Sequence, residues 1–181
     1  MTRAQTTVCG CLLCLFVGGI AVPPRTLAMT QILPDATVEA DRQTVLELTS
    51  TFDQAQEAIR SRHLDELMDL YSERYNHHGF KKADLRKIWD ELLSDYEFIA
   101  NIHTFSAIRT AGQDNNMTVE ITCTGALWAT SKHSKERIPI DSWHQEIHHL
   151  VKEDGAWRIV GASKGVSARP RLFGSAPHPL F

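Results

Sequence analysis

From Val45 onward the apolar residues recur every three or four positions, at Val45, Leu48, Phe52, Ala55 and Ile59. Glu47, Gln54, Glu57 and Arg60 fall largely on the other side, which is the pattern of a helix with one buried stripe. Asp41 is placed to act as an N-cap or first-turn acid. The spacing predicts a helix from about Val38 to Arg60. Leu64, Leu67, Met68 and Tyr71 predict a shorter second helix, with Ser61 or His63 near its start. Arg74–Phe80 (RYNHHGF) breaks the pattern, with Gly79 as punctuation. Leu85, Ile88, Trp89, Leu92 and Leu93 then predict a third helix.

Beyond Ser94 the period changes to two. Phe98, Ala100 and Ile102 alternate with Ile99, His103 and Phe105, predicting a strand over Tyr96–Thr110. Gly112-Gln113-Asp114-Asn115-Asn116 is a turn cluster. Met117–Ser131 predicts a second long strand, with Val119, Ile121, Cys123 and Leu127 in phase. Lys132–Arg137 is a turn and Ile138–Glu153 a third strand. Asp154-Gly155 is a tight hairpin turn leading into a fourth strand, Trp157–Ser163. Three helices followed by a meander of long strands is an α+β order. The expected fold is three N-terminal helices packed on a strongly curved, mostly antiparallel sheet that forms a cone open at one end.

The two ends of the chain read differently. Val8–Val22 is an unbroken apolar run, Pro23 and Pro24 stop it, and Thr26-Leu27-Ala28 ends in small residues as signal peptidase prefers. Residues 1–28 are therefore expected to be a secretory leader, with a retained membrane anchor as the alternative. Residues 29–40 form an extended lead-in containing Pro34, and 166–181 a proline-containing tail without periodicity. Between them, 41–165 is a single domain.

Composition sharpens this picture. The 181 residues carry 19 Lys and Arg against 22 Asp and Glu, a net charge of −3. Loss of Arg3 and Arg25 with the leader leaves 17 basic residues and a net charge of −5. That balance argues against a nucleic-acid binder, and removal of the leader leaves no expected membrane contact. Cys9, Cys11 and Cys14 also leave, so Cys123 has no partner for an internal disulfide. Its place in an alternating strand marks it as a small buried hydrophobe. The mature domain contains no Gly-rich phosphate loop, no Gly-x-Ser-x-Gly elbow, no Cys-x-x-Cys and no His-Glu-x-x-His. No cofactor is expected.

Trp157-Arg158-Ile159 after Lys152-Glu153-Asp154-Gly155 resembles the closing hairpin of the nuclear transport factor 2-like superfamily, including its SnoaL-like branch. Leu70–Gly79 (LYSERYNHHG) resembles the short first strand these proteins place between their second and third helices. The order of elements matches over about Asp41–Ser163. The resemblance implies a pocket inside the cone, lined by inward side chains of the sheet and by the first and third helices. Phe52, Tyr71, Tyr75, Trp89, Phe105, Trp128 and Trp143 are the aromatic candidates, each alternatively a simple core residue. An aromatic, mostly apolar cavity with a few polar groups suits a hydrophobic small molecule. The superfamily includes isomerases, dehydratases, hydrolases and subunits that only bind, so the fold does not select among them.

Three groups of residues carry the candidate chemistry. His77 and His78 are adjacent on the short strand, so one of them points inward. An inward histidine paired with Asp53 of the first helix makes a general base. The segment His144-Gln145-Glu146-Ile147-His148-His149 is the densest polar cluster. On a regular strand His144, Glu146 and His148 share a face, and neighbouring pairs, about 7 Å apart, can chelate one metal ion. The opposite face, with Trp143, Gln145, Ile147 and His149, is more apolar and is assigned to the core, making Gln145 and His149 inward polar candidates. His144, Glu146 and His148 then lie outside, where the resemblance implies a homodimer contact through the sheet. The expected function is binding of a small apolar ligand or a protein partner. A SnoaL-like isomerase, dehydratase or hydrolase is the second reading, and metal binding the third.

Overall fold

The computed structural model describes residues 30–77, 79–112 and 117–161. Among them, the long strands are β1 (Thr30–Glu39), β4 (Tyr96–Ala111), β5 (Thr118–Ser131) and β6 (Arg137–Glu153), closed by the shorter β7 (Ala156–Ile159). These five form one mixed sheet in the order β1-β4-β5-β6-β7. Three helices, α1 (Arg42–Ser61), α2 (Leu64–Met68) and α3 (Lys82–Asp95), and a small hairpin of β2 (Asn76–His77) and β3 (Phe80–Lys81) complete the α+β arrangement. The expected leader (1–28) and tail (166–181), together with His78, lie outside the described residues.

β4 to β7 follow the period-two segments closely, the extended lead-in forms a fifth strand, β1, and the first helix begins later than its apolar spacing predicts. Val38 belongs to β1, which runs parallel to β4 and pairs Val38 with Ile108. What sets the start of α1 is the cap. Asp41 accepts from Thr44 N at 2.9 Å and from Thr44 Oγ1 at 2.7 Å, which satisfies a backbone donor that the first turn leaves open. The same two bonds hold the Asp41 carboxyl below its ordinary range. Leu48, Phe52, Ala55 and Ile59 form the buried stripe of α1, and Leu85, Trp89 and Leu93 that of α3.

The irregular segment before β2 is docked on the far edge of the sheet. Ile159 N donates to Leu70 O at 2.8 Å, Ser72 N to Ile159 O at 3.0 Å, and Asn76 N to Val160 O at 3.0 Å. Leu70–Asn76 thus pairs with the edge strand β7, burying Tyr71, Tyr75 and His77. Gly161 permits the close approach. Its φ is +79°, and a β-carbon there would stand 2.6 Å from Asn76 O, too near for any other residue.

At the other end, α1 is tied to the last hairpin through Glu47. Its Oε2 accepts from Lys152 Nζ at 2.7 Å and from Trp157 Nε1 at 3.0 Å. Lys152, then Gln43, holds the Glu47 carboxyl below its usual range. Trp157 and Ile159 are buried on one face of β7. Trp157→Ala is expected to lower unfolding free energy by about 3–5 kcal/mol in urea melts, as is typical for a buried Trp. A loss under about 1 kcal/mol would place this ring outside the core.

Candidate functional site

The inward face of the sheet combines aromatic and polar side chains, and strand register decides which. On β4, Ile99, Asn101, His103 and Phe105 are buried in alternation. Cross-strand pairing sets three rows: His103–Gly125–Trp143, Phe105–Cys123–Glu146 and Ile108–Ile121–His148. The rows cannot be continuous on an ideal β6, because Trp143 and Glu146 are three residues apart. A β-bulge resolves this. His144 and Gln145 together oppose Thr124, and Gln145 has φ of +50°. Gln145 N donates to Thr124 Oγ1 at 3.1 Å. The extra residue reverses the phase of the strand.

The bulge overturns the face assignment drawn from simple alternation. Glu146 and His148 point inward, while Gln145, Ile147 and His149 do not. Gln145 is exposed, and His149 pairs on the outer face with Glu120, Nδ1 to Oε1 at 3.5 Å. His144 is exposed, so His144, Glu146 and His148 share neither a metal-binding face nor a dimer surface. Among the described residues no three His, Cys, Asp or Glu side chains are placed to hold one metal ion. Trp128 is likewise on the outer face, under the Arg137 guanidinium at 4.9 Å. A register irregularity follows Leu127, but Val119, Ile121, Cys123, Leu127 and Ala129 remain the buried set of β5.

The remaining aromatic candidates are buried. Phe52 of α1 packs edge-on against His103, ring centroids 4.9 Å apart, and against Phe105 at 5.1 Å. Trp143 lies 5.2 Å from His103 and 6.4 Å from His148. Gly125 makes room for that indole, since a β-carbon there would overlap both Trp143 and the Ile102 carbonyl oxygen. Trp89 of α3 donates from Nε1 to Tyr71 Oη at 3.0 Å, and Tyr71 meets Tyr75 edge-on at 5.4 Å. Burial raises the phenol pKa of both tyrosines, and for Tyr75 the neighbouring Tyr71 and Glu146 add to the rise. Both phenols therefore keep their proton at neutral pH.

Of the candidate bases, Asp53 is exposed and cannot serve an interior histidine. The carboxylate facing His77 is Glu146, with Nε2 to Oε1 at 3.9 Å. That distance is within ion-pair reach and beyond a hydrogen bond. The Glu146 side chain is 19% exposed and His77 6%, so the pair sits where the interior meets the surface.

Sequence reasoning does not single out His103 and Asn101 as site residues, although they share the phase of Ile99 and Phe105. That shared phase is the available signal. Together with Cys123 they form a buried chain. Trp143 Nε1 donates to Cys123 Sγ at 3.2 Å, and the thiol donates to Thr124 O at 3.6 Å. His103 Nδ1 lies 3.7 Å from the same sulfur, and Asn101 Nδ2 is 3.0 Å from His103 Nε2. An amide nitrogen can only donate, so Nε2 accepts and the ring proton sits on Nδ1. Burial, with a smaller contribution from His148, drives the His103 pKa well below its ordinary value. Burial also pushes the Cys123 thiol up to about 11, so it is an unreactive neutral group.

No protein-family model matches the chain, and no curated protein sequence does. Solved structures do. A conserved protein from Planctomyces limnophilus superposes with a TM-score of 0.55 at 13% identity, over 67% of this chain and 94% of that one. Aln2 from a Streptomyces species gives 0.49 at 11% identity, over 68% and 90%. A Streptomyces avermitilis protein assigned as a dehydratase from the NTF2-like family gives 0.47 at 9%, over 67% and 95%. At these identities the likeness is one of fold.

The depressed His103 pKa has a sign that stability measurements read directly. Below about pH 6.5 the unfolded chain takes up a proton that the native site refuses. Stability is therefore complete above that pH and falls as pH drops through 6.5 toward the folded pKa, by about 1.4 kcal/mol per pH unit from this group. Urea melts at pH 7, 6 and 5 should show that slope reduced by about that amount in His103→Leu. Glu47 and Asp41, whose pKa values are also lowered, act in a separate window below about 4.5.

Proposed function

We propose that this chain, which carries the nuclear transport factor 2-like fold, binds a small, largely apolar molecule inside the cone between α1 and the inward face of β4, β5 and β6. One observation carries the reading: His77, Asn101, His103, Glu146 and His148 stand among Phe52, Phe105, Tyr75 and Trp143 in the interior. A domain selected for stability alone would fill such positions with apolar side chains, because each polar group placed there must be desolvated. Aromatic walls with a few convergent polar groups are what a ligand site requires. The test uses neutral naphthalene-sized aromatics. They are expected to quench tryptophan fluorescence saturably and to raise the melting midpoint. His148→Leu is expected to weaken that binding roughly 3- to 10-fold, the range a neutral hydrogen bond provides. Binding left unchanged by His148→Leu would make the cluster a structural network.

A second reading, catalysis of an isomerisation, elimination or hydrolysis, is favoured by the His77–Glu146 pair. A carboxylate at the edge of an apolar interior can accept a proton from a bound molecule, and an imidazole 3.9 Å away can return it at another atom. Removal of the leader belongs to the same proposal. The first described strand starts at Thr30, so cleavage after Ala28 would leave only Met29 ahead of β1. Mass spectrometry of the exported protein should find Met29, or a residue close to it, at the N-terminus. An intact leader would indicate an anchored protein.

A further inference from the structure

The edge segment Leu70–His77 is tied to the sheet from two sides. Outside, Ser72 Oγ and the Arg74 guanidinium both meet Glu153 Oε1, at 3.0 and 2.6 Å. Inside, His77 faces Glu146 of β6, Nε2 to Oε1 at 3.9 Å. Between the two ties run the backbone bonds to Ile159 and Val160. The ties differ in chemistry. Burial opposes ionisation of Glu153, but its bonds from Arg74 and Ser72 outweigh that and hold the carboxyl below its ordinary range. A guanidinium keeps its charge throughout, so the outer tie is constant above about pH 4.5. The inner tie is an ion pair only when His77 carries a proton.

The surroundings of the inner tie favour that proton. Burial raises the Tyr75 phenol and the Cys123 thiol, and the Glu146 carboxylate adds to both. The same negative charge acts on His77, because an opposite charge within about 4–6 Å stabilises the charged form. Burial of the imidazole works the other way. Its cost is limited here because the pair sits at the margin of the interior, with the Glu146 side chain 19% exposed. The other titratable groups are placed differently. Tyr75 lies beside His77 with ring centroids 6.5 Å apart, and Cys123 is opposite Glu146 on β5. His148 is two residues along β6, and His103 is behind Cys123, 3.7 Å from its sulfur. Lys81 is aligned with Asn76 across the small hairpin and is exposed.

We propose that His77 and Glu146 form an acid-set latch on the edge of the sheet. Uptake of a proton from water turns them into an ion pair that pins Leu70–His77 to the inward face of β6. Loss of that proton leaves the segment on its backbone bonds and its outer tie, able to open locally. Short irregular segments at the low-stability end of a fold are where such openings occur. The latch needs no ligand and is independent of the binding reading above. Its sign is opposite to that of His103. The inner tie is complete below about pH 6.5, the value of a histidine in the unfolded chain, and is lost as pH rises through the folded value. Protonation at His103 instead weakens the whole domain as pH falls. Edge and core therefore respond to acid in opposite directions.

Amide hydrogen exchange reads both responses. It is followed by NMR on the purified protein at pH 7.5, 6.5 and 5.5, each rate divided by the intrinsic rate at that pH. The Asn76 amide, which donates to Val160 O, is expected to gain roughly 3- to 10-fold protection between pH 7.5 and 5.5. That range lies between an exposed ion pair and a buried charged hydrogen bond. Amides of β4 beside His103 should lose protection over the same interval. In the near-isosteric Glu146→Gln the gain at Asn76 disappears, and the His77 ring titrates at a lower pH than in the natural sequence. His77→Gln removes the proton site itself and keeps the test open if Glu146→Gln does not fold; the gain is expected to vanish there too. Protection at Asn76 that falls in acid along with the core would overturn the proposal. So would a gain that survives in either variant, or a His77 titration that Glu146→Gln leaves unmoved.

Discussion

The bulge at His144–Gln145 is the constraint on which the interior depends. Without it, the inward phase set by Trp143 would continue through Gln145, Ile147 and His149, giving a wall without a carboxylate. One extra residue, accommodated at a φ of +50° and tied to Thr124 Oγ1, turns that phase over. Glu146 then faces His77, and His148 joins the cluster around Phe52 and Trp143. A non-glycine residue in that backbone region is uncommon and costs conformational energy. Here the cost accompanies a change in the chemistry of a whole sheet face.

The interior that results is held between opposing demands. Phe52, Phe105, Trp89 and Tyr71 have no exposed surface and supply most of the apolar burial near the site. Asn101, His103 and His148 occupy the same layer and weaken it, since each must be desolvated. His103 remains neutral because protonation in that layer is unfavourable, and the chain from Trp143 through Cys123 and His103 to Asn101 fixes its tautomer.

The edge of the sheet makes the other contribution. Leu70–Asn76 has no regular period, yet its backbone is satisfied by Ile159 and Val160. A chain segment can be irregular and buried only when its peptide groups find such partners. Docking on β7 carries Tyr71, Tyr75 and His77 to the interior, and Ser72 Oγ with Arg74 closes the outside through Glu153 Oε1.

While the pairing of the lead-in as β1 beside β4 came only with the tertiary structure, the sequence by itself determined the three helices and their stripes, the strands β4 to β7 and the burial of Trp157 and Ile159. Those features follow from local periodicity and capping, which one chain segment expresses alone. It also carried the inward phase of Phe52, Phe105 and Trp143, because the strand period holds up to the bulge. Which histidines face inward was decided only in the tertiary structure. Alternation in His144–His149 has no local mark of an inserted residue, and the bulge exists because β6 must match Thr124 and Cys123 on β5. The replacement of Asp53 by Glu146 as the carboxylate near His77 is likewise a non-local outcome. Asp53 and Phe52 are consecutive on a helix, so burying one turns the other to solvent, whereas Glu146 reaches His77 across 69 positions through packing that no short window contains.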